Sequence, residues 1–184
     1  AAAASLAGCS IFAADSLPLK LTFTAGSSIP AGGRLIVDGT QLGFNLNRSG
    51  EIIHFQSPSG AELDLVTYGP QITDLSVART ANGWALSTPT PGAANTAVCV
   101  LGTGTSLRIN EWLGSNDIIV AGDFVELYNG ETNPVSITDW RISQDFRNEP
   151  AQSPFPPLSF IAGSGFLDLT ADGDGAAGAD PRTF

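Results

Sequence analysis

The sequence predicts an all-β protein arranged as a β-sandwich. No stretch shows the sustained apolar period of 3.6 residues that marks an amphipathic helix, whereas short alternating or β-rich runs recur along the chain. The 21 glycines and 12 prolines, together with only 14% charged residues, indicate many turns and little exposed helix. Short strands at this spacing, separated by turn signals, are typical of a β-sandwich.

Eight segments combine apolar alternation or β-branched residues with flanking turn residues, and each predicts a strand. In chain order they are Lys20–Phe23, Arg34–Val37, Gly50–Gln56, Glu62–Tyr68, Leu107–Trp112, Phe124–Tyr128, Ile137–Ser143 and Gly165–Leu169. The clearest hairpin joins the third and fourth of these strands through the turn Ser57-Pro58-Ser59-Gly60.

Composition and charge restrict the function. With 8 basic and 18 acidic side chains the formal net charge is −10, which repels a phosphate backbone and argues against nucleic-acid binding. The longest apolar stretches, such as Ile118–Ala121, are far shorter than the roughly 18 residues that a membrane-spanning helix needs, so membrane insertion is excluded. The chain has no methionine, one lysine and two cysteines. We therefore expect a processed protein that is secreted or held at the cell surface.

The chain contains an imperfect internal repeat. When the sequence is shifted by 131 residues, Ser5–Ile11 falls on Ser136–Ile142, and the apolar positions of the two segments coincide. The same shift without a gap places Ala31-Gly32 on Ala162-Gly163. Residues 1–95 are therefore expected to be the later part of one module, and residues 107–184 the earlier part of a second. Residues 96–106, which are rich in Gly and Thr, are the predicted linker between them.

The second part carries a pattern in three runs, Leu107–Trp112, Asp123–Asn129 and Ile137–Ser143. These runs resemble the opening of the lamin-tail domain. Phe160–Leu167, followed by Ala171–Asp174, is similar to the middle of the bacterial form of that domain.

The first part resembles the remainder of the same domain. The matching segments, in the order of the family, are Ile29–Val37, Phe44–Glu51, Gly60–Asp64, Ser76–Arg79, Trp84 and Thr88–Asn95. The lamin-tail family has an immunoglobulin-like sandwich, occurs in nuclear lamins and in many bacterial secreted proteins, and is mostly non-catalytic. The resemblance therefore implies an immunoglobulin-like fold and says little about chemistry.

The order of the parts departs from the family, because the chain starts and stops in the middle of a domain. Strands from residues 107–143 could complete the sandwich begun by residues 5–95 within one chain, which gives a permuted fold. Alternatively they complete the sandwich of a neighbour, as in donor-strand exchange. In the second case each part exposes strand edges that another copy satisfies, and a head-to-tail contact grows into a filament unless its rotation closes a ring.

Candidate catalytic residues are few. Nucleophilic catalysis needs a base beside Ser or Cys, and the only histidine, His54, lies in an alternating strand where a half-exposed structural role is expected. Glu111 and Glu126 are a candidate carboxylate pair for acid–base chemistry. In the resembling family these positions belong to the strand framework. We therefore expect no enzymatic activity.

Two further sites are expected on chemical grounds. Asp172, Asp174 and Asp180, with Asp168 as a further candidate, lie on or beside a Gly-rich segment, and closely spaced carboxylates suit Ca²⁺, although a plain solvated loop explains them too. No other cofactor is expected. Cys9 aligns with Trp140, which indicates a buried thiol or a Cys9–Cys99 disulfide.

The sequence thus predicts a non-catalytic, extracellular structural or adhesive protein. Its partners are expected to be other copies of itself or neighbouring modules, joined by strand or domain complementation into an oligomer or filament. One alternative is an accessory module of a secreted hydrolase such as a nuclease or phosphatase. Another is a calcium-dependent binding module built on the Asp172–Asp180 loop.

Overall fold

The computed structural model describes residues 2–14, 18–114, 123–143 and 154–170. Within these residues the chain is nearly all β, with thirteen strands and one short helix. The predicted all-β, sandwich-like fold class is therefore confirmed.

Residues 4–87 contain eight strands and the helix. They are β1 (Ala4–Ser5), β2 (Ser10–Ala13), β3 (Leu21–Thr22), β4 (Ser28–Ile29), α1 (Gly39–Leu42), β5 (Glu51–Gln56), β6 (Glu62–Tyr68), β7 (Ser76–Thr80) and β8 (Gly83–Ser87). An antiparallel sheet has the order β3-β2-β5-β6, and β1-β4 and β7-β8 form separate two-stranded sheets. The predicted hairpin is β5–β6, with Glu51 opposite Tyr68 and a bulge beside Gln56.

Residues 107–170 contain the other five strands. They are β9 (Leu107–Leu113), β10 (Phe124–Asn129), β11 (Val135–Ser136), β12 (Phe160–Ile161) and β13 (Phe166–Thr170). The antiparallel order is β13-β10-β9, and β11 pairs with β12. Apolar side chains of these strands and of the segments beside them bury one another in a core cluster of Leu127, Val135, Ile137, Phe155, Ile161 and Leu169.

Among the described residues, each named strand pair joins two strands of the same part of the chain. No described strand of residues 107–143 pairs with a strand of residues 4–87, and both the permuted sandwich and strand exchange stay predictions.

A loop junction nevertheless holds the two parts together. Gly69 N–H donates to Pro157 O at 3.1 Å, and Phe160 N–H donates to Pro70 O at 2.9 Å. The Gln71 side-chain amide donates to Leu158 O at 2.7 Å. The Pro-rich segment after residue 153 thus packs on residues 69–71 and joins the second part of the chain to the first.

The predicted linker is also anchored at both ends. Cys99 N–H donates to Leu86 O, and Val98 forms an isolated bridge with Ser87. Farther along, the Glu131 carboxylate accepts hydrogen bonds from the backbone N–H and the hydroxyl of Thr103. These bonds hold the pKa of the Glu131 carboxyl below its usual range.

Two of the eight predicted strands are wrong. Arg34–Val37 forms no strand, and Ile137–Ser143 is a turn at residues 138–139 followed by irregular backbone. The helix α1 was not predicted. It begins with a capping box, in which the Asp38 carboxylate accepts a hydrogen bond from Gln41 N–H and the Gln41 side chain accepts one from Asp38 N–H.

Candidate functional site

The internal repeat is visible as a repeated hydrogen-bond network. Leu6 N–H donates to Ser27 O at 2.8 Å, and its counterpart Ile137 N–H donates to Ser159 O at 3.0 Å. The bond from Phe23 N–H to Cys9 O, 2.9 Å, recurs between Phe155 and Trp140 at the same length. The pairing of β1 with β4 recurs as the pairing of β11 with β12.

Backbone conformation repeats at the same places and corrects the alignment. The left-handed residues Gly8 and Gly26 have the left-handed counterparts Asp139 and Leu158. The offset is 131 residues as far as Trp140 and 132 residues from Phe155 onward. The expected ungapped register of Ala31-Gly32 with Ala162-Gly163 is therefore wrong by one residue.

The two copies differ in how well their apolar side chains are covered. Val135, Phe155, Ile161 and Leu169 are each at most 4% exposed in the second copy. Their first-copy counterparts are Ala4, which is exposed, and Phe23, Ile29 and Val37, which are half-buried. In the second copy these side chains pack with Leu127 of β10, and no described strand of the first copy takes the place of β10.

The strip Arg34–Val37 shows the consequence most clearly. Its counterpart in the second copy lies in β13, which pairs along its length with β10. Arg34–Val37 itself forms no backbone hydrogen bond with other described residues. Leu35 and Ile36 are 47% and 55% exposed, and the strip borders an open cavity of about 310 Å³ next to β3. We call these four residues the acceptor strip.

A second uncovered surface lies on the other part of the chain, along β9. This strand is at the edge of its sheet, and its bulge near Glu126 keeps both Ile109 and Trp112 on the face that carries Leu127 and Val125. That face packs into the core cluster at β10, but at β9 it is open, with Ile109 58% and Trp112 72% exposed. Large apolar side chains exposed on an edge strand favour pairing with another chain.

His54 has structural partners. Its ring stacks on Phe12 with centroids 4.8 Å apart, and Nδ1 lies 2.9 Å from Glu62 Oε2. That hydrogen bond lowers the pKa of the Glu62 carboxyl. The contacts of His54 are thus those of the half-exposed strand residue that the sequence predicted.

Glu111 and Glu126 are directly opposite each other on β9 and β10. On the other side of Glu126 lies Asp168 of β13, so three carboxylates form a row across the sheet. The Asn110 side-chain amide donates to Glu126. Like charges directly opposite on neighbouring strands are destabilising, and the row therefore lowers the stability of this sheet.

The predicted calcium ligands Asp172, Asp174 and Asp180 lie outside the described residues. Among the residues that are described, no group of three or more His, Cys, Asp or Glu side chains could hold a metal ion. Cys9 is a buried free thiol and Cys99 a half-buried one. The Cys9–Cys99 disulfide, which this structure does not contain, stays a prediction for the oxidised protein.

An apolar crevice between the β5–β6 hairpin and the β7–β8 hairpin was not predicted. It has a volume of about 420 Å³, and Ile53, Val66 and Trp84 are among its walls. At one end the Tyr68 hydroxyl lies 3.4 Å from Glu51 Oε2, and burial together with the Glu51 carboxylate raises the pKa of Tyr68. Tyr68 therefore stays neutral and can donate to Glu51.

Comparison with known proteins adds no assignment: no family model, no curated protein and no solved structure matches the chain. A search of the described residues finds no helix with the length and apolar character needed to cross a membrane.

Proposed function

We propose that the protein is a non-catalytic structural or adhesive protein of the secreted or cell-surface class, whose modules assemble by strand complementation between chains. The lamin-tail resemblance and its implied immunoglobulin-like fold are part of this proposal. The observation that carries it is exposed apolar surface at two places, the open groove beside Arg34–Val37 and the uncovered face of the edge strand β9.

The energetics support assembly. Exposed large apolar side chains lie at both uncovered places, and burying such surface contributes about 25 cal/mol for each Å² removed from water. A contact between two different surfaces of identical chains is heterologous, and it grows into a ring or a filament. The acidic net charge of −10 keeps other exposed faces soluble and apart.

Light scattering over a dilution series, with electron micrographs of the same samples, tests the proposal. We expect the mass to rise with concentration from the chain mass of 18.9 kDa to large open oligomers or filaments. A mass that stays at one chain at every concentration would contradict assembly as the function.

A further inference from the structure

We infer that the apolar crevice between the β5–β6 and β7–β8 hairpins binds a small aromatic carboxylate, with the ring among the apolar walls and the carboxylate on Arg48. This inference goes beyond assembly and does not depend on it, because neither Arg34–Val37 nor β9 forms part of the crevice. The volume of about 420 Å³ lies within the range of about 300–1,000 Å³ that small-molecule sites occupy.

The two hairpins supply the apolar walls. Ile53 of β5 and Val66 of β6 are directly opposite each other, and both line the crevice. Val77 of β7 and Trp84 of β8 line it from the other hairpin. Strands β6 and β7 belong to different sheets, so no strand ladder closes the space between the hairpins.

An ion pair and a ring contact hold the aromatic wall in place. Arg79 Nη2, on β7, donates to both carboxylate oxygens of Asp64 on β6, at 3.0 and 2.8 Å. The guanidinium carbon of Arg79 also lies 4.5 Å from the centroid of the Trp84 ring. An exposed pair of this kind contributes little stability, but it links the two hairpins and positions the indole. A preformed aromatic wall favours a ligand with a flat aromatic body.

The charge at the crevice indicates the polar group of the ligand. Among the described residues that form the walls, Arg48 carries the only charge. Its exposed guanidinium has no hydrogen-bond or ion-pair partner in the part of the chain that the structure describes. A guanidinium binds a carboxylate through two parallel hydrogen bonds. An unpaired cation beside an otherwise neutral apolar crevice is thus the complement of a carboxylate on an apolar body.

The nearby carboxylate of Glu51 does not oppose such a ligand. Glu51 is buried and is not among the residues that line the crevice. Its Oε2 lies 3.1 Å from Asn47 N, which donates to it, and 3.4 Å from the Tyr68 hydroxyl. The neutral phenol of Tyr68 lines this end of the crevice instead.

Isothermal titration calorimetry of the full chain with naphthoate, and with naphthamide as its neutral amide, tests the inference. We expect naphthoate to saturate at one molecule per chain. Naphthamide should bind about tenfold more weakly, because it cannot form the charged hydrogen bonds with Arg48. Arg48→Gln should weaken naphthoate by the same factor and leave naphthamide unchanged. Lys20→Gln, which removes an equal charge beside β3 at the far edge of the sheet from β6, is the matched control and should bind like the original chain.

A second pair of variants tests the position of the ring. Val66→Phe fills the crevice and should abolish binding of both ligands. Leu65→Phe is its control, because neighbouring residues of a strand point to opposite faces, and Leu65 is 46% exposed and does not line the crevice. Thermal unfolding of both variants at the midpoint of the original chain shows that the fold is kept.

Each possible failure has a distinct meaning. If naphthoate does not bind the original chain at up to about 1 mM, the crevice is not a site for this class. If Arg48→Gln leaves the preference for naphthoate intact, Arg48 does not hold the carboxylate. If Val66→Phe binds like the original chain, the ligand lies elsewhere. If affinity falls as the protein assembles at higher concentration, another copy occupies the crevice and the inference is wrong while assembly stands. A monomer that binds naphthoate would overturn assembly and leave this inference intact.

Discussion

The junction between the two parts of the chain contains Gly69, and the atoms around this residue leave no room for a side chain. A methyl group at Gly69 would overlap Ser159 Oγ, and it would lie 3.1 Å from Ser159 Cβ and 3.2 Å from Pro156 Cδ. Ser159 is fully buried and its hydroxyl donates to Pro156 O at 2.7 Å, so it cannot turn toward solvent. Gly69→Ala therefore overpacks the junction.

The expected loss follows from this crowding. Overpacking a close-packed site costs about 1–3 kcal/mol. For a chain of this size, each kcal/mol lowers the unfolding temperature by roughly 2–4 °C, so Gly69→Ala is expected to unfold about 2–12 °C below the original chain. Calorimetry gives the temperature, and urea unfolding gives the free energy of unfolding with its slope.

Two further variants make the result specific. Gly39→Ala is the control, because a methyl group at the first residue of α1 meets no atom within 4 Å, and stability should not fall. Ser159→Ala removes the overlapping hydroxyl, so the double variant should lose less than the sum of the single losses, by about 0.5–3 kcal/mol. If Gly69→Ala is as stable as Gly39→Ala, the parts do not pack at this junction as described.

Three further changes probe the core, the ion pair and the acidic row. Leu169→Ala empties a core position that is 2% exposed and should lower the free energy of unfolding by about 2–5 kcal/mol in urea; a loss below about 1 kcal/mol would contradict the cluster. Because the pKa of Glu62 is lowered in the folded state by its bond to His54, the pair stabilises the fold above the ordinary pKa of 4.5 and this contribution is lost as pH falls through the lowered value. In thermal unfolding, the stability difference between the original chain and Glu62→Gln should therefore shrink as the pH falls below the lowered pKa of Glu62. A difference that stays constant from neutral to strongly acidic pH would refute the pair. Asp168→Thr removes the charge opposite Glu126 and should raise the free energy of unfolding by about 0.2–1 kcal/mol, whereas a lower value would show that the row is not repulsive.

Strands with long alternating runs were predictable from sequence. β6 has the predicted bounds, and β5, β9, β10 and β13 begin or end within one residue of the prediction. Of the five two-residue strands, β3 lies within the predicted Lys20–Phe23, whereas β1, β4, β11 and β12 were missed because periodicity needs more positions than they have. Periodicity also missed β2, β7 and β8, in which Ala, Ser, Gly and Arg interrupt the apolar alternation, and only the family resemblance at Ser76–Arg79 implied β7.

The acceptor strip was predicted as a strand and forms none. Arg34-Leu35-Ile36-Val37 has the local sequence of a strand, but a strand forms only when a neighbour supplies hydrogen bonds. Local sequence could not show that its neighbour is missing. The internal repeat pairs this segment with β13, whose strand conformation depends on its hydrogen bonds to β10. The junction through Gln71 could not be predicted from local sequence, because its hydrogen bond joins residues 87 positions apart.

Amide hydrogen exchange at the acceptor strip tests the central claim most directly. In dilute solution the amides of Arg34–Val37 should exchange rapidly, while those of β13 that bond to β10 are protected. As the concentration rises, protection should appear at the strip, because the proposed assembly supplies it with a strand of another chain. Strip amides that are protected at every dilution would mean that the strip already has a partner within its own chain, and amides that never become protected would mean that no second copy docks there.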